Sequence, residues 1–187
     1  MPERLWLDRY WSAVLVEGLL AAAPEEGCAL LLGRSHGSLL TLEVVWPCLN
    51  VWGAGWPETF GFDLAAMPGP RLERDQGMAP SASRRNRFAI DPREQLLAEK
   101  WARRQGLQVL GSAHSHPEGE AVPSAIDRAW VLAPTLMLIC TPGPDNGGLG
   151  AWWFPSSPGD PHRLALIGNG EGGPAAGRGA SGGDGDL

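Results

Sequence analysis

Two short apolar runs decide what kind of fold is open to this chain. Residues 28–32 (Cys-Ala-Leu-Leu-Leu) and 135–140 (Thr-Leu-Met-Leu-Ile-Cys) are continuous apolar segments of strand length, too short for a buried helix. Strands of this kind are covered on both faces, so the sheet they belong to needs helices beside it. Two segments supply helical spacing. Residues 9–22 place Trp11, Leu15, Leu19 and Leu20 on one face, and Pro24 ends the run. Asp91 and Pro92 open a second helix as N-cap and first helical residue, with Leu96, Leu97 and Trp101 as its buried face and Gly106 as its stop. Residues 38–46 read as the hairpin partner of 28–32, joined by a turn at Ser35-His36-Gly37. Further strands are expected at 88–90, 107–113, 150–154 and 163–167, and a short helix at 124–132. The expected class is α/β, more closely α+β: a mixed central sheet flanked by helices over residues 1–167.

With 187 residues the chain can build one domain with a real core. Its net charge of -6 argues against nucleic acid as the main partner, because phosphate binding calls for a basic face. Arg84, Arg85 and Arg87 cluster, as do Arg103 and Arg104, and both groups read as solvated surface. Cys28, Cys48 and Cys140 are odd in number and form no Cys-x-x-Cys pair, so neither a disulfide framework nor a thiolate metal site is expected. No signal-peptide layout opens the sequence, and no apolar run reaches the ~18 residues of a membrane span. The expectation is a cytoplasmic protein without a membrane partner. Residues 168–187 are Gly-rich and read as a disordered tail. Residues 51–85 are rich in Gly and Pro, with Trp52, Trp56, Phe60 and Phe62 near their start.

Chemistry concentrates in Ala113-His114-Ser115-His116-Pro117 and Pro123-Ser124-Ala125-Ile126-Asp127. The tripeptide at 114–116 holds half of the chain's four histidines. Side chains alternate along a strand, so His114 and His116 leave the same face and can share one divalent ion. Asp127 can add an anionic ligand from the first turn of the following helix. Two imidazoles and one carboxylate suit a single zinc ion with a position left for water, the pattern of catalytic rather than structural sites. Ser124-x-x-Asp127 is also a helix-capping pattern, and Ser124 can serve the helix and the site together. His36 and His162 read as surface residues. Glu118 and Glu120, in the loop between ligands, face either substrate or solvent.

The pattern His114-x-His116, Ser124, Asp127 resembles the JAMM motif of the MPN-domain metalloproteases, in their prokaryotic branch, at every motif position. The resemblance implies a cytidine-deaminase-like MPN fold and a zinc peptidase or isopeptidase. It also implies a glutamate on an early strand. Pro24-Glu25-Glu26-Gly27-Cys28 matches that context, with Glu26 in register and Glu25 as the adjacent alternative. In this likeness Zn2+ is held by His114, His116 and Asp127, Glu26 is the general base and Ser124 the oxyanion donor. The implied partner is a ubiquitin-like or sulfur-carrier protein with a Gly-Gly end. Residues 52–85 then form an insertion, whose aromatic residues either contact a protein partner or pack on the domain. Asn50 and residues 87–92 also look familiar for this branch, in a structural role. A non-catalytic scaffold and a zinc hydrolase of small amides are the alternatives. The oligomeric state is left open.

Overall fold

The computed structural model describes residues 1–53, 83–143, 148–156 and 160–168. Among these residues are eight strands in one sheet and three helices. In chain order they are β1 (Arg4–Trp6), α1 (Arg9–Leu20), β2 (Cys28–His36), β3 (Leu39–Cys48), α2 (Pro92–Arg104), β4 (Gln108–Ser115), α3 (Ala125–Trp130), β5 (Thr135–Thr141), β6 (Gly148–Phe154), β7 (His162–Arg163) and β8 (Ala165–Ile167). The sheet order is β7-β6-β5-β4-β2-β3-β1-β8. Strand β1 runs parallel to β3 and β8, and β4 parallel to β5; the other neighbours are antiparallel. This is the expected mixed sheet with flanking helices. No helix among the described residues is long and apolar enough to cross a membrane.

One face of the sheet is covered by α1, which starts where the Asp8 carboxylate accepts the Trp11 N–H at 2.7 Å. Its Leu15, Val16 and Leu19 bury against Ala29, Leu31, Leu136 and Leu138. The opposite face is covered by α2, capped by Asp91 with Pro92 in its first turn. Here two of the three expected buried side chains are wrong. Leu96 and Leu97 are 48% and 60% exposed, and Trp101 is only partly buried. Ala98 and Ala102, one turn apart, are the fully buried pair, against Leu30, Leu32 and Leu107. Small residues at i and i+4 let the helix backbone lie close to the sheet, which turns the leucines outward.

Other expectations shift too. Ser35 and His36 continue β2, and the turn falls at Gly37 and Ser38, with Gly37 at a φ of 60°. Residues 88–90 form no strand; that segment meets residues 50–52 through Val51 N–H to the Ala89 carbonyl at 2.9 Å and Ala89 N–H to Asn50 Oδ1 at 3.2 Å. The expected strand at 163–167 is two strands at opposite ends of the sheet order, β7 on β6 and β8 on β1. Only Leu164 separates them, buried to 3% exposure, so the two ends of the sheet meet there. Cys28 and Cys140 are buried free thiols. Most of the expected insertion, with Trp56, Phe60 and Phe62, and the expected tail from residue 169 onward lie outside the described residues.

A bulge in β4 governs which way its C-terminal half faces. Leu31 of β2 pairs with Gly111 and Leu32 with Val109, so Leu110 is an extra residue. Leu107 and Val109 contact the α2 side, whereas Leu110 and Ala113 contact the α1 side. Gly111 sits at a φ of 158°, and a Cβ there would meet the Leu136 carbonyl oxygen at 1.8 Å, which only glycine tolerates. Past this point the alternation is reset, so His114 and His116 point to the α2 side and Ser115 to the α1 side.

Candidate metal centre

His114 lies near the end of β4, His116 one residue beyond it, and Asp127 in the first turn of α3. The structure brings the three together. The two histidine Nε2 atoms are 3.0 Å apart. His114 Nε2 lies 3.4 Å from Asp127 Oδ1, and His116 Nε2 lies 3.5 Å from Asp127 Oδ2. Ligands at about 2.0–2.1 Å around a tetrahedral ion stand roughly 3.3–3.4 Å apart, so these separations fit one ion. This is the only such group among the described residues, and it could hold a metal. His116 Nδ1 lies 2.9 Å from the Glu120 carbonyl oxygen. Donating there leaves the lone pair on Nε2, facing the other two ligands. Phe88 stacks on the His114 ring at 4.6 Å with an interplanar angle of 21°.

Helix α3 is held by a full capping box. Ser124 Oγ accepts the Asp127 N–H at 3.1 Å, and Asp127 Oδ2 accepts the Ser124 N–H at 2.7 Å. The cap therefore engages Oδ2 and leaves Oδ1 to face His114. It also leaves the Ser124 hydroxyl proton free to donate. Burial would raise the Asp127 pKa, but the hydrogen-bonding histidines overcome it and hold the carboxyl well below the usual carboxylate range. In His116 burial opposes the charged form, yet contact with Asp127 and the Glu120 carbonyl carries its pKa above the ordinary value.

Glu26 is 6% exposed and faces the same cavity as Asp127. Burial, its largest influence, raises its pKa to about 7. The adjacent Glu25 instead lies 3.8 Å from Arg84 at the surface. Three devices fix Glu26. Its N–H donates to the Arg84 carbonyl oxygen at 2.6 Å. Asn50 Nδ2 donates to the carbonyl oxygens of Glu26 and Arg87, both at 2.9 Å. Gly27 N–H donates to Ser115 Oγ at 2.9 Å, while the Ser115 hydroxyl donates to the Leu19 carbonyl oxygen at 3.2 Å. Ser115 thus ties the end of α1 and the Glu26 segment to the strand that carries both histidines. Alternation on β4 could have flagged this residue, since Ser115 must face away from its neighbours. The role of Phe88 had no signal in the sequence.

Arg87 is partly buried beside the site, not solvated surface as expected. It lines a cavity of about 430 Å³ together with Glu26 and Asp127. His36 is exposed, and Glu118 and Glu120 are exposed loop residues. His162 bonds the Pro2 carbonyl oxygen through Nε2 at 2.7 Å and takes no part in the centre. Trp52 meets the Trp130 ring edge-on at 6.0 Å.

Comparison with known proteins agrees with this geometry. The family model described as prokaryotic homologs of the JAB domain matches residues 9–155. A protein from Desulfitobacterium hafniense, known from a solution structure, is 25% identical, with a TM-score of 0.64 over 88% of this chain and 92% of its own. One from Salinibacter ruber is 22% identical, with a TM-score of 0.56 over 91% and 94%. A JAB1/MPN domain protein from Archaeoglobus fulgidus, 15% identical over 89% and 98%, has a TM-score of 0.45, too distant to argue from. No curated protein matches this sequence. The match over residues 9–155, on a mixed sheet that gathers His114, His116 and Asp127, makes this chain a member of the prokaryotic JAB-domain family.

Proposed function

We propose that this chain is a zinc-dependent peptidase or isopeptidase acting at the C-terminal Gly-Gly end of a ubiquitin-like or sulfur-carrier protein. One observation carries the catalytic part: a buried carboxyl with a pKa near 7, Glu26, shares a cavity with a ligand of the His114, His116 and Asp127 group. A scaffold has no need of a carboxylate held at the cost of burial.

A divalent ion held by His114, His116 and Asp127 would supply Lewis acidity to the amide carbonyl and to the attacking water. The residues of the chain do the rest. Glu26 accepts a proton from the water and hands it to the leaving nitrogen, a task suited to a group that titrates near neutrality. The Ser124 hydroxyl donates to the carbonyl oxygen as negative charge develops on it. Asn50, Ser115 and the Arg84 carbonyl keep Glu26 from relaxing toward solvent.

The test is cleavage of a ubiquitin-like carrier extended beyond its Gly-Gly end, by the full chain loaded with zinc. Glu26→Ala should abolish turnover and leave zinc bound. Full activity in that variant would remove Glu26 from the mechanism. Bound zinc with no turnover of any fusion by the unaltered chain would favour the scaffold.

A further inference from the structure

We propose that Phe88 is a positioning residue of the metal centre: in place of a hydrogen-bond acceptor, its phenyl ring sets the plane of the His114 imidazole and walls it off from solvent, and so sets how tightly the centre takes up its ion. This rests on reading His114, His116 and Asp127 as metal ligands, and it adds a residue outside that set.

The two histidines are held in different ways. His116 Nδ1 has the Glu120 carbonyl oxygen at 2.9 Å. His114 is fully buried, and its Nδ1 has no hydrogen-bond partner among the described residues. A ligating imidazole ordinarily gives its second ring nitrogen to a carboxylate, carbonyl or water, and that bond fixes the ring. The sheet register accounts for the lack. Cys28 of β2 and Ile139 of β5 stand directly beside His114. The Cys28 thiol donates to the Cys48 carbonyl oxygen at 3.7 Å, and Ile139 offers only hydrocarbon.

What His114 has instead is a flat apolar face. The Phe88 and His114 rings stack with centroids 4.6 Å apart and an interplanar angle of 21°. Phe88 is half-buried and lines the cavity of about 430 Å³, whereas His114 is no part of that lining. The phenyl ring is therefore the wall between the imidazole and the open space beyond it. Turning the imidazole out of its plane would break the stack or drive the two rings into each other. The stack keeps Nε2 aimed at the point it shares with His116 Nε2, 3.0 Å away, and Asp127 Oδ1, 3.4 Å away. A ligand already in place loses little rotamer freedom when an ion arrives, and that saving appears as affinity.

Phe88 is itself clamped from both sides along the chain. Asn50 Nδ2 donates to the Arg87 carbonyl oxygen at 2.9 Å, and Asn50 Oδ1 accepts the Ala89 N–H at 3.2 Å. Val51 N–H adds a bond to the Ala89 carbonyl oxygen at 2.9 Å. The same Asn50 amide also holds the Glu26 carbonyl oxygen. One side chain thus places the segment that carries the carboxylate and, through Phe88, the ring of a ligand.

The experiment measures zinc affinity of the full chain by competition with a chelator. Phe88→Leu keeps apolar bulk and loses the flat face; it should lower the affinity at least about tenfold, the scale of a lost outer partner of a ligating histidine. Phe88→Tyr keeps the ring and should restore most of it. Circular dichroism should match the unaltered chain in both, and Phe88→Met takes the place of the leucine variant if that one does not fold. NMR of the metal-free chain gives a second readout. The ring protons of His114 lie over the phenyl face, so they should resonate upfield of those of the exposed His36. In Phe88→Leu they should move back downfield, while those of His162 stay in place. Unchanged zinc affinity in a folded Phe88→Leu would overturn the proposal, as would equal losses in the leucine and tyrosine variants. So would His114 signals at ordinary positions in the unaltered chain, with no variant needed. If the unaltered chain takes up no zinc, the metal reading itself falls and this proposal with it.

Discussion

Replacing Glu26 by glutamine should stabilise the metal-free protein at high pH and leave it unaffected at low pH. The side chain is 6% exposed, and its folded-state pKa is about 7 against an ordinary 4.5. Between these two values the folded chain holds a proton that the unfolded chain has released. Stability therefore falls as pH rises through that window and stays lowered above it. At 1.36 kcal/mol per unit the full penalty is about 3 kcal/mol. Glutamine keeps the shape and carries no charge, so it escapes the penalty. Asp127 and His116 titrate in both proteins, and their contributions largely cancel in the difference. The assay is urea unfolding of both proteins, stripped of metal, from pH 4.5 to 8.5. The curves should coincide at the acid end and separate by about 1–3 kcal/mol in favour of Glu26→Gln at the basic end. Adding zinc should shrink the gap, because a bound cation favours the carboxylate. Stability curves that run parallel across the whole range would show that Glu26 is not held in a desolvated place, and the case for it as base would fail with that.

Four further outcomes follow from the same geometry. His114→Ala and Asp127→Ala should each lose zinc, read as metal content after dialysis, with the fold retained by circular dichroism. Ser124→Ala should slow turnover by roughly 10²-fold, as for one lost oxyanion donor, and cost about 1 kcal/mol of stability as a lost N-cap. Ser124→Thr should recover most of both. Ser115→Ala should lower kcat more than it raises KM, since it removes the link between Gly27 and Leu19 without touching a ligand. Gly27→Ala should be worse, because a Cβ there would meet the Leu19 carbonyl oxygen at 2.3 Å; thermal unfolding should show a loss of a few kcal/mol.

Local patterns carried much of this into view, and long-range packing carried the rest. The central strands, the caps at Asp91 and Ser124, and the gathering of residues 114, 116 and 127 into a group that could hold a metal are readable because alternation, capping and metal geometry are rules of a few residues. The buried face of α2 was not. Leu96 and Leu97 look like core by hydropathy, yet depth is decided by how closely the backbone approaches the sheet, and Ala98 and Ala102 allow the closer approach. The division of residues 162–167 between two strands was hidden because both partners, β6 and β1, are distant in sequence. Arg87 read as one more surface arginine because its neighbours in space, Glu26 and Asp127, come from the segment before β2 and from α3. Asn50 bridges that loop to Glu26, across 24 and 37 residues of chain, beside the direct bond from Glu26 N–H to the Arg84 carbonyl.

The bulge at Gly111 makes the metal centre a matter of odd and even. The surplus residue, Leu110, lets the start and the end of β4 both keep their pairing with β2 although they are one residue out of step. A regular ladder with Val109 still opposite Leu32 and no residue removed would turn the histidines to α1 and hand their place to Ser115, whereas excising Leu110 would keep Gly111 opposite Leu31 and leave the histidines where they are. Lineages can therefore lose the surplus residue without disturbing the centre, whereas one residue gained or lost between Gly111 and His114 would turn it over. A tally of residues from Gly111 to His114, taken across relatives, should stay fixed even where the length of the whole strand differs by one.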